Sequence, residues 1–385
     1  MSKPENLRQT IEVADVIRLC RSQIEQTLSL SHEQMKAIDA IERCRTKDAG
    51  GHISYCTNCS HYQQAYNSCR NRHCPKCQFL KQHQWVDKLT SRLMPGRYFH
   101  LVFTVPSALH NLFLYNQDTC YDLLFQSASD ALQSAGRNPA FLGADVGALC
   151  VLHTWSQTLT YHPHIHMLVP AGGLACDGME WVAAGKSFFV PVKALSAMFR
   201  GRFVGQLQKH LESKQLRLPK DYESWNALKC KLYAKSWNVY SKKAFGGVTS
   251  VLSYLGRYTH RVAISNSRIQ ELDETHVTFS YKDNRQGGVS KSLSLSPCEF
   301  VRRFLMHVLP AGFCKIRYVG LLATVHIYGK RQQSIALIGQ TIWLSTLEGL
   351  NTYELLRTVL GKDPAVCAKC GKGIMVRRPL NQAMG

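Results

Sequence analysis

Apolar residues recur every three to four positions near the start of the chain and every two positions further on. This change of period sets the expected elements. Val13, Val16, Ile17 and Cys20 fall on one side of a helix, so residues 1–45 read as helical. Ser31 followed by Gln34 has the pattern of a capping box and marks a second helix start. Residues 44–77 interrupt the pattern: they are polar, rich in Cys, His and Asn, and too poor in large apolar residues to hold a core unaided. A basic helix is expected over 79–93, then a strand over 98–105 and one long or two shorter helices over 109–134.

Strand-like segments follow at 147–155 and 165–169, on either side of Tyr161-His162-Pro163, with turns at Gly172-Gly173 and Asp177-Gly178. Helices are expected over 189–211 and, strongly basic, over 222–243. A further helix after Gly246-Gly247 carries Tyr254. Segments 262–264, 275–282 and 290–295 alternate as antiparallel strands do, and Pro297 opens a helix through Met306. No repeat or low-complexity tract is visible. The order of elements is mixed rather than a regular βαβ alternation, which predicts an α+β fold on an antiparallel sheet.

The chain has 385 residues, 45 % apolar content and a formal charge of +21. Its size allows two or three packed domains. The charge favours a polyanionic partner; nucleic acid and an anionic membrane surface both satisfy it. No run of eighteen apolar residues occurs and the start is polar, so a soluble protein of the cytoplasm is expected.

Fifteen cysteines are present, and their distribution matters more than their number. Cys120, Cys150, Cys176, Cys230, Cys298 and Cys314 are scattered singly and read as small hydrophobes. Cys56-Thr-Asn-Cys59 is different: two intervening residues let both thiolates reach one tetrahedral ion. With Cys44, His52, Cys69, His73, Cys74 and Cys77 it makes eight candidate ligands, the number for two structural Zn²⁺ ions. One ion with four of these residues is the alternative. Cys367-Ala-Lys-Cys370-Gly forms another knuckle-like turn, which closes with a distant pair, with a partner, or with nothing. From Arg70 to Arg97, Arg70, Arg72, Lys76, Lys81, Lys88, Arg92 and Arg97 stand against Asp87 alone, as expected of a DNA-backbone contact.

Two constellations carry chemistry. In a strand, His164 and His166 project to the same face and can grip one divalent ion, leaving positions open for phosphate oxygens. Gln157 is the expected third ligand, with His153 and His162 as competitors; a packing role for the pair is the bland alternative. On a helix, Tyr254 and Tyr258 put both hydroxyls on one side with Arg261 a turn on. A phenol attacks phosphorus only when positive charge lowers the cost of the phenolate, which Arg257, Arg261 or Lys243 can supply. An aromatic stripe packing a helix onto a sheet has the same spacing. Trp237 and Tyr240 are base-stacking candidates or core residues.

Three segments together resemble a known family: Asn67-Ser-Cys69-Arg-Asn-Arg-His73-Cys74-Pro-Lys-Cys77, His162-Pro-His164-Ile-His166 and Tyr254-Leu-Gly-Arg-Tyr258-Thr-His-Arg261. They are similar to the transposases of the insertion sequence ninety-one type, two-tyrosine rolling-circle enzymes related in their core to replication initiators and relaxases. The resemblance spans about residues 10–330. It implies a helical and zinc-binding DNA-contact domain over 1–97, a nickase core of the His–hydrophobe–His type over 98–330, and a C-terminal region over 331–385. It further implies His164 and His166 as ligands of a catalytic Mg²⁺ or Mn²⁺, and Tyr254 and Tyr258 as nucleophiles that leave a 5′-phosphotyrosine and a free 3′-hydroxyl. The implied partners are single-stranded or folded DNA ends and the host replication machinery at the bacterial nucleoid, with self-association allowed. A replication initiator or relaxase, and a non-catalytic zinc regulator, are the rival readings. No helicase-like P-loop is present.

Overall fold

A computed structural model describes residues 11–185, 187–245, 263–283, 286–339 and 344–380. The chain opens with α1 (Val13–Thr27) and α2 (His32–Arg43). Ser31 and Gln34 form the expected capping box: the Ser31 hydroxyl accepts from the Gln34 amide and the Gln34 side chain accepts from the Ser31 amide. Val16, Ile17, Ile24, Ile38 and Ile41 are buried with Phe300 and Phe304 of the helix Pro297–Leu305. Arg21 of α1 ties the two helices through Asp39 and Glu42 of α2.

The polar stretch that follows folds into β1 (Gly51–Cys56) and β2 (Tyr62–Tyr66), before α3 (Phe79–Arg92). Next come β3 (Tyr98–Thr104), a short α4 (His110–Tyr115) and a long α5 (Gln117–Arg137). Strands β4 (Ala144–Asp145), β5 (Gly147–Trp155), β6 (Tyr161–Pro170), β7 (Gly172–Ala175) and β8 (Trp181–Ala183) precede α6 (Val192–Glu212) and α7 (Trp225–Tyr233). The remaining strands are β9 (Val239–Phe245), β10 (Ile269–Leu272), β11 (Val277–Asp283), β12 (Val289–Leu295), β13 (Ile316–Gly320) and β14 (Met375–Pro379).

The centre of the molecule is a five-stranded antiparallel sheet in the order β13-β5-β6-β3-β9. Strand alternation gives it two different faces. Leu101, Phe103, Cys150, Leu152, Ile165 and Met167 point to one side and pack on α5 and α6, where Tyr121, Leu124, Phe199 and Phe203 receive them. Each such large apolar side chain removed from water contributes roughly 1.5–3 kcal/mol. Leu149, Val151 and Leu168 point the other way, against Leu89 of α3 and Leu321 and Ile335 of the C-terminal third. Histidines occupy one end of this second face. The fold is therefore α+β on antiparallel sheets, with a helical N-terminal region.

Two expected elements differ. The basic helix expected over 222–243 stops at Tyr233, where the Trp237 indole donates to the Leu232 carbonyl, and the chain turns into the edge strand β9. Trp237 is thereby core, whereas Tyr240 is exposed. The strand expected over 262–264 is not seen in its described part, since Ala263 takes a left-handed backbone (φ 58°) that a strand cannot accommodate.

Candidate functional site

β6 is the middle strand, and its alternation puts His164 and His166 on one face while Ile165 and Met167 enter the core. Antiparallel register then brings His153 of β5 directly opposite His164. One ring nitrogen from each of His153, His164 and His166 lies within 4.8 Å of the others. The Nε2 atoms of His164 and His166 are 3.1 Å apart. Two nitrogens bound at about 2.0–2.1 Å to one ion stand roughly 3.0–3.4 Å apart, so the pair is spaced as ligands are.

Hydrogen bonds aim the rings. His164 Nδ1–H donates to the His162 carbonyl at 2.6 Å, which leaves the Nε2 lone pair facing inward. His166 Nδ1 lies 2.8 Å from Nε2 of His100 on β3, whose ring stacks on it at 5.0 Å between centroids. When His166 donates along that contact, both Nε2 lone pairs face each other and repel unless a cation sits between them. Trp155 stacks on His153 at 4.7 Å and closes the outer side. Burial lowers the His164 pKa to about 4, and holds His153 and His166 well below the ordinary imidazole range. The rings are thus neutral at pH 7, the form that binds metal.

The third imidazole is His153. Gln157, expected there from spacing, lies in the turn past the end of β5. Its carbonyl accepts from Arg268 at 2.6 Å, and the residue lines a cavity of about 270 Å³ with Trp155, Ser265 and Tyr281. Strand β5 reaches as far as Trp155, so the residue that faces His164 lies nearer the strand middle than sequence distance suggested. Tyr254, Tyr258 and Arg261 lie outside the described residues.

Thiolates gather at two points. Cys44, Cys69, Cys74 and Cys77 form one group, with Cys44–Cys77 and Cys69–Cys77 sulfur distances of 3.5 and 3.6 Å. Cys56 and Cys59 form the other with Cys367 and Cys370, at 3.6 Å (Cys56–Cys370) and 3.8 Å (Cys59–Cys367). Sulfurs around a tetrahedral zinc with 2.3 Å bonds stand about 3.8 Å apart, and four cysteines with no open position are the donor set of a structural site. Backbone amides support the thiolates: Asn58 and Cys59 donate to Cys56 Sγ, Cys69 to Cys44 Sγ, and Gly373 to Cys370 Sγ. The Gly373 amide is the leading cause that draws the Cys370 thiol down to about 6. A side chain at Gly373 would collide with Cys56 Sγ and Asn58, so only glycine permits this approach.

His52 and His73 belong to neither group, which corrects the eight-ligand set. Nδ1 of His73 donates to Asn71 Oδ1 and its Nε2 accepts from the Leu309 amide, so both nitrogens are committed. Its burial lowers the pKa to about 3. His52 sits on β1 opposite Pro379, beside Arg377. Their places are taken by Cys367 and Cys370, which closing β14 on β1 brings across the chain.

Several residues of the basic run have partners within the protein. Arg72 donates to the Phe313 carbonyl, Lys76 pairs with Glu12 and Lys88 with Glu348. Arg92 lies over Tyr318, and Arg97 donates to the Ala184 carbonyl. Arg70, Lys81 and Arg97 are exposed and remain open to a DNA backbone. No described helix is long and apolar enough to cross a membrane.

Three imidazoles converging from adjacent antiparallel strands, with the His–hydrophobe–His pair on the central one, define a metal-dependent nickase-type core. Comparison with known sequences agrees. Residues 147–330 match a family model described as "Putative transposase", and residues 16–105 match a transposase zinc-binding domain of the insertion sequence ninety-one type. The chain is 39 % identical over 377 residues to "Putative transposase y4qJ" of Sinorhizobium fredii, covering 95 % of this chain and 94 % of the relative. It is 28 % identical over 353 residues to the "Transposase for insertion sequence element IS801" of Pseudomonas savastanoi pv. phaseolicola, covering 88 % of this chain and 82 % of the relative. No solved structure matches. The chain belongs to the two-tyrosine transposases of the insertion sequence ninety-one type, with their N-terminal zinc-binding domain.

Proposed function

We propose that this transposase nicks and rejoins single DNA strands in rolling-circle transposition, with Tyr254 and Tyr258 as nucleophiles, assisted by Arg261. The observation that carries the reading is the convergence of His153, His164 and His166 on one point of the central sheet. A divalent cation, Mg²⁺ or Mn²⁺, held by these imidazoles would polarise the scissile phosphate. His100 and the His162 carbonyl hold the rings in the tautomer that faces it. The phenolic oxygen of one tyrosine forms a bond to phosphorus as the P–O3′ bond breaks. The 3′-oxygen departs and takes up a proton, and the 5′ end stays on the enzyme as phosphotyrosine. Rejoining is the same exchange reversed: one phosphoester replaces another, so no nucleotide cofactor is required. A second tyrosine four residues away allows the enzyme to hold one strand end while acting on another.

In this reading residues 1–97 form a DNA-contact domain, 98–330 the catalytic domain and 331–385 a C-terminal region that supports the first. The free 3′-hydroxyl suits extension by a host polymerase, and in this reading the enzyme works in the cytoplasm at the nucleoid. The test is incubation of the full chain with a single-stranded oligonucleotide from an element terminus and Mn²⁺, followed by denaturing electrophoresis. A protein–DNA adduct is expected from the native chain and from neither Tyr254→Phe/Tyr258→Phe nor His164→Ala. An adduct that persists in the double tyrosine variant overturns the assignment.

A further inference from the structure

The second thiolate group does more than bind an ion: it assembles a sheet from both ends of the chain. β14, β1 and β2 pair in that order, with Tyr55 opposite both Tyr62 and Val376, and Ile53 opposite both Gln64 and Arg378. Residues directly opposite share a face. One face therefore carries Tyr55, Tyr62, Tyr66, Val376 and Arg378. The other carries Arg377, which lies over Tyr353 of the helix Thr352–Leu360.

The first face is open and unusual in composition. Tyr62 is 71 % exposed and Tyr66 38 %. Arg378 lies over the Tyr55 ring at 5.1 Å, which orients a cation among the aromatic rings. No Asp or Glu occurs in residues 51–78 or 364–385, whereas Arg378 lies on this face and Arg70, Lys369 and Lys372, in the flanking segments, are exposed. Aromatic planes on a strand surface, interleaved with cations and free of carboxylates, fit unpaired bases joined by phosphates. A duplex keeps its bases inside and offers such rings nothing to stack on. The apolar content is too small and too strongly charged for a buried protein interface, which depletes charge at its centre.

We propose that the Tyr55–Tyr62–Tyr66–Arg378 face of the β14-β1-β2 sheet binds single-stranded DNA, and that the Cys56/Cys59/Cys367/Cys370 clasp creates it by carrying Arg378 onto the N-terminal strands. This rests on the DNA-processing reading and names where a strand is held away from the histidines. Tyr62 and Tyr66 stand four residues apart on one strand, about 13 Å, so they address different bases.

The probe is a fluorescein-labelled oligothymidylate, bound to zinc-loaded full-length protein without Mg²⁺ or Mn²⁺ and followed by anisotropy. Tyr62→Ala and Tyr66→Ala should each weaken binding about tenfold, the usual worth of one base–aromatic stack. Tyr62→Phe/Tyr66→Phe keeps the rings and should bind as the native chain does. Cys367→Ser/Cys370→Ser should lose one zinc per chain in a chromogenic thiol-release assay and weaken binding likewise. Native affinity in the double alanine variant overturns the proposal. So does a duplex that binds as tightly as the single strand and suffers equally from the alanines, or a clasp variant that loses its zinc with affinity unchanged. Absence of covalent adduct with this binding intact would instead strike the nicking reading, so the two failures are distinct.

Discussion

The histidine site and the cysteine groups both present metal-binding atoms, yet they are held by opposite means. His153, His164 and His166 stand on two adjacent inner strands of a five-stranded sheet, backed by Ile165, Met167 and Phe103 and aimed by His100. Apolar packing sets their geometry before any ion arrives. Cys44, Cys69, Cys74 and Cys77 sit instead among turns with left-handed residues at Arg45, Arg70 and Gln78, in a segment with little apolar material. There an ion would fix loops whose Cys44 and Cys74 border the apolar cluster of the N-terminal helices. One site is built to keep positions open for chemistry, the other to be filled and closed.

The widest separation between the two should come from removing thiolates. Cys44→Ser or Cys74→Ser should release zinc from the first group and unfold the turns over 67–78, since a structural zinc in a small domain is worth about 10–16 kcal/mol, while β1 and β2 stay held by β14 and the second group. Hydrogen exchange should show that segment unprotected while β5 and β6 remain protected; equal loss in both would mean that the sheet depends on zinc too.

Acid should strike the sheet end of the comparison. His307 is buried, stacked on Tyr161, with Nε2–H donating to the Leu159 carbonyl, and burial lowers its pKa from 6.5 to about 4. Between those values the unfolded chain binds the extra proton. Its contribution is complete above pH 6.5 and falls away as pH drops towards 4, by roughly 3 kcal/mol. His307→Gln should make the stability profile less steep in that window by this share, the other buried histidines keeping the remainder, as urea titrations at successive pH values would register.

His100→Ala tests whether the sheet aims its ligands. Loss of an outer partner to a ligating histidine typically costs about 10- to 100-fold in metal affinity. Mn²⁺ titration by calorimetry should weaken by that factor, and the cavity left at the buried His100 should also lower the thermal midpoint of the metal-free chain. The smallest effect belongs to the helix caps: Ser31→Ala removes the hydroxyl that accepts from Gln34 and should lower stability by about 1 kcal/mol, leaving both metal sites intact.

What could be read from the chain follows the same division. Period-two alternation makes His164 and His166 legible, and the Ser31/Gln34 cap is visible because its partners are three residues apart. His153 was a competitor rather than the choice, because a facing residue on the next strand depends on register and on the irregularity between His153 and Trp155. The thiolates announce themselves by spacing, but their partition does not. Cys59 meets Cys367 across 308 residues, and His73 looks like a ligand until its two nitrogens are found committed to Asn71 and Leu309. The edge strand β9 was hidden by its lysines, which made a short alternation look like the end of a basic helix.

The pairing of β1 with β14 has a bearing on how the molecule is born. Cys56 and Cys59 are synthesised early but meet their partners only when residues 367–370 have left the ribosome. At roughly 5–20 residues per second, that wait is about 15–60 s. A polypeptide broken off short keeps its histidines yet never closes this junction, so completeness of the message is written into the shape of the product.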